Sequence, residues 1–185
     1  MIDLVNNSNF FIYLAIAEMS RHRLSANEIN YPNFNAKPPR EVSIRVKFIR
    51  LGEVITLEEK FYAEIVIEAR WLYDSEYANW NPNLYVKNAL GDVKEEVLCE
   101  LVDSSDMPIN NIHQTTDDII YVFELRKVVG TFWETLELNS FPVDVQQLSL
   151  QIVTRCSITE CVLVENRFQP SIVNREAFLG RIYFY

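Results

Sequence analysis

From Phe61 to Trp71 the chain strictly alternates. Phe61, Ala63, Ile65, Ile67, Ala69 and Trp71 point one way, and Tyr62, Glu64, Val66, Glu68 and Arg70 the other. Only an extended strand keeps such a set on one face, because its side chains repeat with a period of two. Wound into a helix, the same residues would scatter around the axis. Glu41–Leu51 repeats the pattern, setting Val42, Ile44, Val46 and Phe48 against Ser43, Arg45 and Lys47. The segment LGEVITLEEK between these runs is a strand-to-strand connection.

Further strands are predicted over Glu95–Val102, Ile119–Lys127, Val128–Leu138, Ile158–Val164 and Ala177–Tyr185. Glu134–Thr154 adds a strand on each side of Phe141-Pro142-Val143-Asp144, with Leu148, Leu150 and Ile152 on one face of the second. Asp74–Asn83 and Asp103–Thr116 show no period and are predicted as loops. With only four glycines, the turns must be made by Asn, Asp and Pro. Short strands at this spacing predict an all-β fold, an immunoglobulin-like antiparallel β-sandwich. At 185 residues the chain reads as a single domain, 1–185, with no repeat and no Pro/Gly/Ser linker to divide it.

The N-terminus is predicted to be helical over 8–24. Ile12, Ile16 and Met19 share one helical face, Ser8 is placed to cap the start, and Arg21, His22 and Arg23 fall in the last turn. The apolar run FFIYLAIA ends in Ala15-Ile16-Ala17, which mimics a signal-peptide cleavage site. The residues before it hold no Lys or Arg and include Asp3, unlike a signal peptide. The run is also short of the ~20 residues a membrane span needs. A polar connection over 25–40 leads to the sandwich, 41–185.

Within Glu134–Thr154, Pro142 has no N–H to give a ladder and belongs in a turn or at a sheet edge. Phe141 is placed to cap the core there, and Asp144 to accept turn amides. FPVDVQQLSLQI resembles the loop and following strand of the extracellular domain of pentameric ligand-gated ion channels, the Cys-loop receptor superfamily. Upstream, Trp80-Asn81-Pro82-Asn83-Leu84-Tyr85-Val86 and Asn88-Ala89-Leu90-Gly91-Asp92 are similar to that family's Trp-x-Pro-Asp segment and its continuation. The resemblance runs from about Pro38 to the C-terminus and departs at the loop's disulfide, whose cysteine positions here hold Glu134 and Leu148. Microbial members also lack this bridge. Phe141, Pro142 and Asp144 are then what holds the loop.

Other chemistry is sparse. There is no Gly-rich phosphate loop, no His-Glu-x-x-His and no Gly-x-Ser-x-Gly, and the two histidines suit no triad, so no catalytic residue is assigned. The acidic pairs Glu95-Glu96 and Asp117-Asp118 read as solvated edges. A net charge of −9 leaves no basic stripe for nucleic acid. Cys156 and Cys161 are spaced to close a small loop at a hairpin, leaving Cys99 alone; the alternative, favoured here, is three reduced thiols behaving as small hydrophobes. No metal or cofactor is assigned.

In the family, ligand is held between subunits by an aromatic cage that attracts cations. The resemblance places three of its positions at Val66, Lys87 and Arg155, none of them aromatic. Trp71, Trp80 and Pro82 are assigned as anchors of the fold. The resemblance thus implies the ligand-sensing domain of a pentameric channel, or a channel-less relative, with a degenerate cage. Its partners would be like subunits and a small-molecule ligand at their interfaces. The alternative is a structural or assembly module that keeps the sandwich without neurotransmitter binding. The first reading places the domain on the extracellular face of a membrane, the second in the cytosol.

Overall fold

The structure, a computed structural model, describes residues 2–5, 11–16, 38–109, 119–135 and 145–174. In chain order the strands are β1 (Ile2–Val5), β2 (Phe11–Ile16), β3 (Arg40–Ile55), β4 (Lys60–Leu72), β5 (Leu84–Val86) and β6 (Ala89–Val102). They continue with β7 (Tyr121–Trp133), β8 (Val145–Leu150), β9 (Ile152–Thr154), β10 (Cys161–Glu165) and β11 (Ile172–Val173).

The two alternating runs form the centre. β3 and β4 pair antiparallel, Val42 opposite Trp71 and Phe48 opposite Ile65. The turn between them is one 3-10 turn, Thr56–Glu58, left through Glu59 in the left-handed region at φ 51°. β7 lies antiparallel against β4 without a register break from Lys60↔Trp133 to Leu72↔Tyr121, and β6 flanks β7. On the far side of β3, β10 and β11 pair with its two halves in parallel. The order of this sheet is β10–β3–β4–β7–β6, with β11 beside β3.

One face of the sheet is apolar. Val42, Ile44, Val46 and Phe48 from β3, the odd-numbered residues of β4, and Val128 and Phe132 from β7 are buried there. Leu84 and Val86 of β5, Leu148 and Leu150 of β8 and Ile152 of β9 join the same cluster. Sheets packing their apolar faces together make the fold sandwich-like. Phe61 and Phe132 meet with ring centroids 5.5 Å apart, and each ring so buried contributes about 1.5–3 kcal/mol through lost apolar surface. The other face carries Arg45 and Lys47 on Glu68, and Lys127 on Glu64.

Several expectations need correction. Residues 11–16, expected within a helix over 8–24, form β2, which pairs parallel with β8 from Phe11↔Val145 to Ile16↔Leu150 and antiparallel with β1. The run is dense in aromatic and β-branched residues, and the edge of β8 gives it a hydrogen-bonding partner that a lone helix periodicity cannot weigh. The sheets are also not wholly antiparallel, since β2, β10 and β11 pair in parallel. Ile119–Lys127 and Val128–Leu138 are not two strands: β7 runs unbroken from Tyr121 to Trp133. β6 begins at Ala89 rather than Glu95, and a bulge near Gly91, at φ 65°, lets it curl over β7. Gly130 belongs to this bulge: a Cβ there would meet Val93 Cγ1 at 2.5 Å. The loop residues Phe141, Pro142 and Asp144, the C-terminal strand 177–185 and most of the connection 25–40 lie outside the described residues.

Candidate functional site

The WNPN segment is shaped by consecutive tight turns. Asp74 caps the 3-10 turn Ser75–Tyr77, its carboxylate accepting the Glu76 amide at 3.1 Å. The Tyr77 N–H donates to Asp74 O at 3.0 Å, and Trp80 N–H to Tyr77 O at 2.8 Å. Trp80 is thereby set edge-on against buried Trp71, with centroids 5.9 Å apart and planes at 82°, a favoured aromatic geometry. Next, Asn81 Oδ1 accepts the Asn83 amide at 2.6 Å, and Asn83 takes a left-handed conformation at φ 50° that Asn tolerates. Pro82 between them is buried, and its carbonyl accepts the Thr154 hydroxyl.

This segment leads into β5, which pairs antiparallel with β9, Val86 opposite Ile152. The strand that follows the WNPN segment and the strand that begins at Ile152 are therefore neighbours in space. They are clasped by Asn88, whose side-chain amide donates to Trp133 O at 2.9 Å and Ser149 O at 3.0 Å. Its Oδ1 accepts the Gln151 amide at 3.0 Å.

Arg40, at the start of β3, enters the site from the other side. Its guanidinium carbon lies 4.2 Å from the Tyr77 ring centroid and 4.9 Å from that of Trp80. Its Nη2 is 3.2 Å from Asp74 Oδ2. A groove of about 950 Å³ opens beside it, lined by Arg40, Trp71, Asp74, Tyr121 and Phe168 among others.

Beneath the WNPN segment lies a fully buried carboxylate, Glu124. Asn81 Nδ2 donates to its Oε2 at 3.0 Å, and Arg126 Nε donates to its Oε1 at 3.0 Å. Arg126 reaches on to Glu95 Oε2 at 2.7 Å. A buried carboxylate survives because charge and hydrogen bonds replace its lost water. The Cys99 thiol lies 3.7 Å from Glu124 Oε2, and burial of the sulfur, with that carboxylate, raises its pKa.

The three ligand positions are not brought together within one chain. Val66 looks out from the polar face of the large sheet, between Lys47 and Lys127 in register. Lys87 and Arg155 follow β5 and β9, on the covering layer. Their amides bond across the ribbon to Gln151 O at 2.7 Å and Asn83 O at 3.3 Å, at its opposite ends. Arg155 lies over the Tyr85 ring at 5.2 Å, and Lys87 is exposed. Phe132 and Trp133 are neighbours in a strand and so face opposite ways: Phe132 points into the core and Trp133 is exposed.

The chain matches no protein-family model and no curated protein. Among the described residues no helix is long and apolar enough to cross a membrane. No group of three or more His, Cys, Asp or Glu converges there as metal ligands would.

Sequence reasoning missed Arg40, Tyr77, Asn88 and Glu124. For Glu124 a signal existed. Tyr121–Trp133 is one strand, and the parity of Phe132 and Val128 turns the even-numbered Glu124 and Arg126 inward. Splitting the strand in two hid that parity.

Proposed function

We propose that this chain is the ligand-sensing domain of an assembly like the pentameric ligand-gated channels, facing outward from a membrane, with its ligand site between subunits. The reading rests on its likeness to that family in two separate motifs. The observation that carries it is that β5, which follows the WNPN segment, pairs with β9, which begins at Ile152, the last residue of FPVDVQQLSLQI. At the mouth of the FPVD loop, Glu134 and the strand of Leu148 come together where the family has its disulfide, the Glu134 carboxylate accepting the Ser149 amide at 2.5 Å. On this reading Val66 of one subunit faces Lys87 and Arg155 of the next. Such a site suits an anionic or neutral ligand better than an amine, because two cations flank it.

A second reading, an assembly module without a ligand, is favoured by Arg155 itself, which already covers Tyr85 with its own guanidinium.

The experiment is cross-linking between differently tagged chains, one carrying Val66→Cys and the other Lys87→Cys, both with Cys99→Ser and Cys156→Ser. A heterodimeric cross-link at high protein concentration is expected, with none when Val66→Cys is paired with a cysteine at Glu165. Its absence, with both chains folded, sinks both readings. A cross-link whose yield no small anion or amine alters leaves the assembly module standing and the sensor rejected.

A further inference from the structure

We propose that the outer edge of β6 docks a second copy of this chain, the two β6 strands pairing antiparallel about a two-fold axis at Val97. The contact uses none of the three ligand positions and stands apart from the ring proposed above.

The edge is long and open. β6 ends the order of the large sheet, and among the described residues no strand pairs with its outer side between Lys94 and Glu100. Lys94 to Cys99 are all exposed, with Val97 at 48% and Leu98 at 58%. Those two side chains lie on opposite faces of the sheet, so neither face of the strand is covered there. Such an edge is a template for another strand.

The hydrogen bonds at its end show which groups are free. The Leu101 carbonyl accepts the Ile109 amide at 2.8 Å, and Pro108 pairs with Val102, so that carbonyl points away from β7. In an antiparallel strand the N–H and C=O of one residue point to the same side, and the side alternates along the chain. Glu95, Val97 and Cys99 therefore turn both groups outward. The bulge between Leu90 and Lys94 closes this stretch at one end, and the Ile109 bond closes it at the other. The midpoint of 94–100 is Val97.

Charge selects the same centre. About Val97, Lys94 stands opposite Glu100 of the second copy and Glu100 opposite its Lys94, while Val97 meets Val97 and Glu95 meets Cys99. Centring on Glu95 or Glu96 would set that glutamate on itself, and centring on Leu98 would set Glu96 on Glu100. Like charges directly opposite are destabilising. A centre midway between two residues would match outward groups with inward ones, and no ladder forms.

The test exploits the symmetry, because only a two-fold contact brings a residue onto its own copy, as no head-to-tail ring does. Full chains with Cys99→Ser and Cys156→Ser, carrying either Val97→Cys or Glu95→Cys, are mildly oxidised at high protein concentration. Paired residues that exchange hydrogen bonds lie about 5.5 Å apart at Cα, within disulfide reach. Val97→Cys is expected to give a linked dimer. Glu95→Cys, about 13 Å along the strand from its own copy, is not. In sedimentation, Lys94→Glu should weaken association about fivefold or more, and adding Glu100→Lys should restore it. No linked dimer from folded Val97→Cys overturns the proposal. Equal linking at both positions shows unspecific association and overturns it too, as does association that Lys94→Glu leaves unchanged. A head-to-tail ring found without the Val97 link overturns this contact alone and leaves the ring reading standing.

Discussion

The carboxylate of Glu134 accepts the backbone N–H of Ser149 at 2.5 Å, joining the end of β7 to β8 across 15 residues of chain. The Glu134 amide in turn donates to Glu59 O at 2.8 Å, so this junction is tied to the β3–β4 turn. A charge-assisted bond to a main-chain amide is among the stronger hydrogen bonds available to a protein. Here it holds β7 to β8 without covalent chemistry.

Glu134→Ala should therefore destabilise the fold by about 1–2 kcal/mol, the cost of one partly buried amide left without its acceptor. Asn88→Ala removes three bonds at a residue only 7% exposed, and should cost about 3 kcal/mol. Urea unfolding at constant m-value checks both. An Asn88→Ala loss smaller than that of Glu134→Ala would refute the clasp.

Glu124→Ala leaves Arg126, whose side chain is only 12% exposed, with Glu95 as its remaining acidic partner among the described residues. The expected loss is about 3 kcal/mol, the lower end for breaking a buried pair. Replacing both partners, Glu124→Leu with Arg126→Met, should restore stability to within about 1 kcal/mol of wild type, because two desolvation costs vanish together. A double variant as unstable as the single one would show that the pair is needed for more than charge balance.

Burial pushes the Cys161 thiol up to about 11, with the neighbouring Cys156 adding to the shift. A folded-state pKa raised above the unfolded one means that folding favours the neutral thiol. Stability from this source is fully present below 9.0, the ordinary value that the unfolded thiol has, and is lost as pH rises toward the folded value. Unfolding free energy should thus fall by up to about 2 kcal/mol between pH 8 and pH 11, relative to Cys161→Ala as a reference. Alkylation of the native protein should run in the order Cys99, Cys156, Cys161, following their exposure. Cys161 reacting first, or equal pH slopes in the two proteins, would contradict this.

In isolation the chain should be monomeric, or a weak oligomer that strengthens with added salt. A ring of five copies at −9 each carries −45, and the outward face of β4 offers Glu64, Glu68 and Arg70 around Val66. Repulsion between exposed charges is screened beyond ~8 Å at physiological ionic strength, so salt should favour assembly. Light scattering that finds a stable pentamer at low salt and micromolar concentration would reverse the expectation.

The central hairpin was legible because β3 and β4 are half-buried along their whole length, so the period of two is written directly in Val42–Phe48 and Phe61–Trp71. β7 was harder to read. Its first half buries a glutamate while Phe123 and Leu125 look outward, so polarity and burial part company wherever a charge finds partners. The N-terminal run failed for another reason, because its partner strand lies more than a hundred residues away in sequence. The Arg40 cluster joins residues 34 and more apart through ring faces, a relation with no periodic trace.

Between β10 and β11 the chain leaves the edge of β3 and returns to it. In that gap the Asn166 amide donates to Ile44 O at 2.9 Å, and the Val46 amide donates to the Ser171 hydroxyl at 2.9 Å. The edge of β3 is thus stitched on both sides of the excursion, and Asn166, Phe168 and Gln169 on it form one wall of the groove. Arg45 of β3 also holds the excursion itself, its Nε donating to Pro170 O at 3.1 Å and its Nη1 to Gln169 Oε1 at 2.7 Å, so the rim of the groove is anchored to the sheet through side chains. Buried Ser171 completes that anchoring: its hydroxyl takes an amide of β3 that a neighbouring strand would otherwise accept, so the sheet keeps its edge satisfied while the chain beside it departs to build the groove.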